Sequence, residues 1–194
     1  MVFLILGLAL FLGAHSVRIF ADDWRREQVA RVGETAWKGV YSLVSAAGLG
    51  LIIWGYGLAH LDSPVLWPTP TWARHLGASL NLPAFILVVA AYLPGSRIKA
   101  RIGHPMVAGV KIWAAAHLLA NGSLADATLF GAFLLWAIAD FAAARRRDRA
   151  AGRTYPPASG RSRDNLVIAI GFVAWALFAF YGHVWLIGVR PYGI

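Results

Sequence analysis

The 194-residue sequence contains no cysteine. Disulfide bonds, thiolate metal sites and cysteine nucleophiles are therefore all excluded. Acidic residues are also scarce, since Asp and Glu together number 9 against 18 Lys and Arg. No acidic residue stands at ligand spacing from a histidine, which argues against a zinc or di-iron site. The sequence likewise has no phosphate-binding loop, no Gly-x-Ser-x-Gly motif and no carboxylate dyad.

Apolar residues, by contrast, are abundant. They make up 59% of the chain and give a mean hydropathy of +0.60, whereas a soluble domain has roughly 45–50% apolar residues. The net charge is +9, but apart from Lys111 the basic residues fall in predicted connections or near helix ends. This distribution indicates membrane topology under the positive-inside rule, and no aromatic–basic pattern points to a nucleic acid.

Hydropathy divides the chain into six apolar segments, most of them long enough to cross the ~30 Å of bilayer hydrocarbon as a helix. The first lacks a basic region and a cleavage site, so we interpret it as a span and not as a signal peptide. The fourth is short, and either spans untilted or is re-entrant against protein. The segments run from about Val2 to Phe20, Trp37 to His60, Trp72 to Leu93, Pro105 to Ala120, Leu124 to Ala144 and Asn165 to Gly188.

The connections between these segments predict the orientation. Those after the first, third and fifth segments carry Arg and Lys, whereas Leu61–Thr71 and Asn121–Ser123 carry none. Because basic connections stay in the cytoplasm, both termini are expected outside. We therefore expect one all-α domain over residues 1–194: a polytopic bundle of about six transmembrane helices in the bacterial inner membrane.

Ionisable side chains inside these segments are the candidate functional residues, because burying them in lipid is costly. His15 lies in the first segment, and Arg18 shares its helix face three residues later. His117 lies in the fourth segment, with Asn121 on its face, and His104 opens that segment. Each also has a plain structural reading: a packed histidine, a snorkelling arginine, or a helix cap.

One acidic residue has a predicted partner. Asp140 lies two helical turns before Arg147 on the same face, just ahead of a basic run. We expect it to find a cation there.

The stretch from His104 to Gly122 carries a family resemblance. Its sequence, HPMVAGVKIWAAAHLLANG, resembles the signature of the NnrU family of bacterial membrane proteins. The opening span with Gly13–Arg18 and the region from Gly33 to Gly57 resemble the same family. The likeness covers essentially the whole chain as a single integral membrane domain.

The resemblance implies a cofactor. The family is similar to the plant 15-cis-zeta-carotene isomerases, which are haem b membrane enzymes, and their ligand histidines correspond to His15 and His117. Haem c is excluded because Cys-x-x-Cys-His is absent. Arg18 is expected to pair with the anionic propionates. The isomerases have a cysteine that can exchange as an iron ligand at the position of Ala114. Alanine has no ligand atom, so the resemblance does not imply ligand exchange in this chain.

The ligand pair has an alternative. Counted along straight helices, His15 and His117 differ in depth by about 10–15 Å, whereas two nitrogens on one iron lie only about 4 Å apart. His104 is the depth-matched alternative to His117, and tilt or a re-entrant fourth segment would favour His117.

Three functions follow as expectations. The first is a haem protein of nitrogen-oxide respiration, since the NnrU family is associated with denitrification, or of redox chemistry on a hydrophobic small molecule. The second is an isomerase of polyene lipids, and the third a non-catalytic assembly or transport factor for a respiratory partner. The lipid bilayer is the expected surrounding in each case.

Overall fold

The computed structural model describes residues 1–155 and 161–192, and within these ranges the regular structure is helical. Helix α8 continues through a π-helical turn, Phe178–Gly182, into α9, so that together they form one long segment. The fold class predicted from the sequence is confirmed. The helices are α1 (Val2–Phe20), α2 (Asp22–Val32), α3 (Glu34–Leu61), α4 (Thr71–Tyr92), α5 (Arg97–Ile102), α6 (Pro105–Ala120), α7 (Leu124–Ala150), α8 (Arg161–Leu177) and α9 (His183–Ile187).

Five helical segments are long and apolar enough to cross a membrane. They are α1, α3, α4, α7 and the continuous Arg161–Ile187 segment, and the sixth apolar helix is the 16-residue α6. All six segments expected from hydropathy are therefore helical. Large apolar side chains face outward, such as Leu43 and Trp185, which are 73% and 83% exposed. Outward apolar side chains are what a bilayer requires.

Small residues allow the helices to approach closely. A Cβ atom built on Gly7 would lie 2.6 Å from the backbone nitrogen of Ile52, and one on Gly48 would lie 2.7 Å from that of Phe11. Helices α1 and α3 therefore pack backbone to backbone at these glycines, and larger residues would force them apart. Such small-residue contacts are the usual means of helix association in membranes.

Helix α7 holds the bundle together. It contacts α1 and α3 on one side and α6 on the other, while α4 packs between α6 and α8. At one end of the bundle, the Leu66 amide donates to the Gly122 carbonyl at 2.7 Å and the Leu124 amide to that of Pro64 at 2.9 Å. This end carries the connections that lack Lys and Arg.

The other end, which we call the basic end, gathers the three basic connections. The Arg147 side chain donates to the Arg18 carbonyl there, at 3.1 Å. The connection after α1 was expected only as a loop, but it contains helix α2. Asp22 and Asp23 lie in its first turn, where carboxylates are favoured, and they pair with arginines three and four residues later.

Candidate functional site

A cleft of about 1080 Å³ opens at the basic end of the bundle. It is bounded by α1, α2, α3, the start of α6 and the inner part of α7. Three of the predicted site residues line it: His15, Arg18 and His104. We call it the histidine cleft. His117 and Asn121 are not among the residues that line it.

His15 is held in a defined orientation on its own helix. Its Nδ1 lies 2.7 Å from the carbonyl oxygen of Phe11, one turn earlier. A carbonyl only accepts, so Nδ1 carries the proton and Nε2 of the neutral ring is left with a lone pair. The ring stacks on Phe11 with a centroid distance of 4.2 Å, and it lies near Tyr41 and Trp136 at 5.2 and 5.9 Å. Three helices thus fix an imidazole whose Nε2 bonds to no described residue.

A second polar atom at this position also lacks a partner. The indole nitrogen of Trp136 is buried and forms no hydrogen bond within residues 1–155 and 161–192. Trp136 lines the histidine cleft on α7, next to His15. Buried donors are normally satisfied, so this indole is available to an acceptor on a bound molecule.

Most cations in the histidine cleft are already paired. Lys38 lies 2.7 Å from Glu34, Arg147 lies 3.8 Å from Asp140, and Arg25 and Arg26 pair with acids of α2. The contact between Asp140 and Arg147 is the pairing expected from their spacing. Arg18, in contrast, has no carboxylate partner in the part of the chain that the structure describes. It is therefore the cation of this cleft that is free to meet an anion.

His104 takes part in a three-residue network at the edge of the cleft. Its Nε2 donates to Asp148 Oδ2 at 2.7 Å and lies 3.1 Å from the Tyr155 hydroxyl, which itself donates to the same oxygen at 2.5 Å. Burial of the hydroxyl, with the negative charge of Asp148 beside it, raises the pKa of Tyr155 to about 12. Because Nε2 of His104 carries a shared proton, this nitrogen is not available as a ligand.

Gly103 makes room for this network. It adopts φ +77°, and a Cβ atom there would lie 2.9 Å from the Tyr155 ring. The sequence alone did not single out Asp148 or Tyr155, since Asp148 sits within an arginine run and Tyr155 in a Pro-rich connection. Only the fold brings them to the start of α6.

His117 lies farther from the basic end, in a nonpolar setting. Its Nδ1 is 2.8 Å from the Trp113 carbonyl, the same one-turn bond that orients His15, and its ring stacks on Phe130 at 4.6 Å. Its Nε2 also bonds to no described residue. The Asn121 side chain donates to the His117 carbonyl at 2.9 Å, so Asn121 caps the end of α6.

Each of the three histidines contacts a different residue of α7, and the spacing of these residues gives the distances between the histidines along the bundle. His15 neighbours Trp136 and His117 neighbours Phe130. These positions are six residues apart, or about 9 Å along the helix. His104 neighbours Phe141, about 7.5 Å from Trp136 in the other direction. His15 therefore lies at an intermediate depth.

Aromatic rings occupy the space between His15 and His117. The ring centroids of Phe11 and Phe133 lie 5.8 Å apart, and those of Phe133 and Trp113 lie 5.4 Å apart. His15 contacts Phe11 at one end of this row, and His117 contacts Trp113 at the other. Lys111 lies outside the row, with its ammonium 3.8 Å from the Phe141 ring centre. Within residues 1–155 and 161–192, no cluster of three or more histidine or acidic side chains could hold a metal ion.

Comparison with known proteins identifies the family. No match was found among the curated proteins or among the solved structures. The family model described as NnrU protein matches residues 3–191, which is nearly the whole chain. This multi-pass membrane protein belongs to the NnrU family.

Proposed function

We propose that this protein binds haem b in the bacterial inner membrane and acts in nitrogen-oxide respiration, the setting that the family resemblance implies. His15 is the first iron ligand, and Arg18 holds a haem propionate. Bound haem would supply a redox-active iron whose behaviour depends on its ligands and surroundings.

The orientation of His15 is the observation that carries the proposal. Histidines that bind metal typically donate one ring N–H to a carbonyl or carboxylate, which fixes the tautomer and directs the other nitrogen at the metal. The bond from His15 Nδ1 to the Phe11 carbonyl, at 2.7 Å, fits that arrangement. The ring also borders a cleft large enough for a cofactor, with Arg18 at the same wall.

His117 is the better candidate for the second ligand. Its Nδ1 is bonded to the Trp113 carbonyl, so its Nε2 keeps a lone pair as that of His15 does. His104 would have to give up its bond to Asp148. His15 and His117 would hold the haem iron together only after coming closer than the ~9 Å that separates them along α7. The Phe11 and Phe133 rings, which lie between the two histidines, would then have to rotate aside.

Arg18 supports the same assignment through charge. A carboxylate at the edge of a membrane protein is stabilised by a charge-assisted hydrogen bond from a guanidinium. The other cations named in this cleft are paired with protein carboxylates, whereas Arg18 has none within the described residues. The cleft therefore offers an imidazole and an unpaired cation one helical turn apart.

Ligand exchange of the isomerase type is not part of the proposal. The position of the isomerase cysteine is Ala114, which is fully buried and has no ligand atom. An isomerase of polyene lipids therefore lacks a supporting observation in this chain.

The test is an absorption spectrum of the protein purified in detergent after expression with ample haem supply, oxidised and reduced. We expect the wild type to bind haem b and His15→Ala to lose most of it. His60→Ala is the matched control, because His60 is a half-exposed histidine at the opposite end. A colourless wild type would refute the proposal and favour the assembly or transport factor. Equal haem content in the two variants would refute His15 as the ligand.

A further inference from the structure

A second cleft, of about 570 Å³, lies at the basic end between α5 and the start of α8. Three arginines line it, Arg97, Arg101 and Arg161, together with Asp164 and Asn165. We call it the arginine cleft. It belongs to the α4–α5–α8 side of the bundle and shares no lining residue with the histidine cleft.

The acidic residue in this cleft is occupied by the backbone. Asp164 Oδ1 accepts from the Arg97 amide at 2.7 Å and from the Ile98 amide at 3.4 Å. The carboxylate thus fastens the start of α5 to α8. It forms no ion pair with any of the three arginines, although its charge lies in the same cleft.

The three guanidinium groups therefore lack a protein counter-ion within the part of the chain that the structure describes. The sequence of residues 156–160, which precede Arg161, contains no Asp or Glu. Lys99 is directed elsewhere, because its ammonium donates to the Ala91 carbonyl at 2.6 Å. A concave site with three free guanidinium groups favours an anion with several oxygens, since arginine binds phosphate through paired hydrogen bonds.

The surroundings of the cleft decide which source of phosphate fits best. Beyond Asn165, the same face of helix α8 continues with Ile168 and Phe172, three and seven residues later, which are 45% and 51% exposed. Both side chains belong to the Arg161–Ile187 segment, which is long and apolar enough to cross a membrane. A molecule with a phosphate head and acyl chains would contact both the arginines and this surface, whereas free phosphate would contact only the arginines.

We infer that the arginine cleft binds the phosphodiester headgroup of an anionic phospholipid. Basic pockets between transmembrane helices on the cytoplasmic side recognise such headgroups, and each Arg near the surface contributes about fivefold in affinity. The acyl chains then lie along α8. This inference concerns a different cleft from the haem proposal and does not depend on it.

The test uses native mass spectrometry of the full chain in detergent, with phosphatidylglycerol and phosphatidylcholine as probes. We expect phosphatidylglycerol to be retained preferentially. The triple variant R97Q, R101Q, R161Q should reduce its retention about a hundredfold. The control R146Q, R149Q, R163Q removes the same charge from the basic end without touching the cleft. Equal losses in the two variants would overturn the inference in favour of general surface charge.

Two further measurements test the charge argument with a variant that should bind more lipid, which misfolding would not cause, and distinguish a lipid headgroup from free phosphate. Asp164→Asn removes the negative charge while its amide oxygen still accepts from the α5 backbone, so it should increase phosphatidylglycerol retention severalfold. No increase would contradict the charge argument. Inorganic phosphate at millimolar concentration should leave the lipid bound. Its full displacement by phosphate would show a site for free anions and refute the lipid assignment.

Discussion

The two clefts at the basic end differ in how their positive charges are balanced. In the histidine cleft, Lys38, Arg147 and the α2 arginines each face a carboxylate, and Arg18 is the cation without one within the described residues. In the arginine cleft, the acid is engaged by the α5 backbone. Both clefts lie on connections that the positive-inside rule explains, so the rule alone does not distinguish them.

The comparison shows that a basic residue in a cytoplasmic connection is not necessarily available to bind a ligand, because a protein carboxylate can already pair with it. Exposed ion pairs add little stability, on the order of 0–1 kcal/mol, but a cation that is paired in this way is less available to an external anion. The paired cations therefore form the framework of the histidine cleft and leave recognition to His15, Arg18 and Trp136. The arginine cleft keeps its charge for an external anion.

The largest expected effect concerns the two proposed haem ligands, His15 in the histidine cleft and His117 beyond its lining. Bis-histidine ligation by His15 and His117 predicts a low-spin haem. His117→Ala should remove that signal, leaving either a five-coordinate high-spin iron or little bound haem, as measured by absorption and electron paramagnetic resonance. His75→Ala is the control, because His75 is an exposed histidine that lies beside Tyr192.

The same experiment tests the alternative ligand. If His117→Ala keeps the native low-spin spectrum while His104→Ala loses it, His104 is the second ligand. The shorter separation along α7, about 7.5 Å for His15 and His104 against about 9 Å for His15 and His117, would then have indicated the correct ligand pair. The bond between His104 and Asp148 would have to break when haem binds.

Much of this architecture could be predicted from the sequence. The long apolar runs predicted six membrane helices, because a backbone that crosses lipid must form all its hydrogen bonds within the protein. The spacing of Asp140 and Arg147 predicted their pairing, since residues two turns apart share a helix face. These inferences rest on local periodicity, which a single sequence carries.

Contacts between distant segments could not be predicted in this way. Tyr155 meets His104 and Asp148, 51 and 7 residues away along the chain, only because the start of α6 lies beside the end of α7. Trp136 and Tyr41 surround His15 from two other helices. Helix α2 was missed because it is short and polar, with ion pairs between its own residues and no apolar stripe. Such features depend on packing, which hydropathy does not encode.

A smaller effect is expected from the unpaired cation of the histidine cleft. Arg18→Gln should weaken haem retention about tenfold, because a charge-assisted bond to a propionate would be lost. Arg26→Gln should change it little, since Arg26 faces Asp22 and Asp23 instead. The measurement is haem transfer to an acceptor apoprotein. Equal transfer from both variants would return Arg18 to a snorkelling role.

Arg18→Gln also sharpens the comparison between the clefts. It should leave phosphatidylglycerol retention unchanged, and the triple variant of the arginine cleft should leave haem content unchanged. A variant that altered both readouts equally would show that the basic end responds to total charge and not to two separate sites.

The smallest effect concerns the edge of the histidine cleft. Tyr155→Phe removes the hydroxyl that donates to Asp148 at 2.5 Å. The loss should cost about 1 kcal/mol and lower the melting temperature by about 2–4 °C at neutral pH. Tyr92→Phe is the control, because Tyr92 is 75% exposed at the end of α4. Melting curves in detergent measure both variants.

The pH dependence of this hydrogen bond has a definite sign. The pKa of Tyr155 is raised to about 12 by burial and by Asp148, whereas an unfolded tyrosine has a pKa near 10. The neutral phenol is the donor, so its stabilisation is complete below pH ~10 and disappears as the pH rises through about 12. The difference in melting temperature between wild type and Tyr155→Phe should therefore shrink between pH ~10 and ~12. Equal melting temperatures of the two proteins already at neutral pH would show that the Tyr155 ring stabilises this edge by packing on Gly103, since phenylalanine keeps the ring and lacks only the hydroxyl.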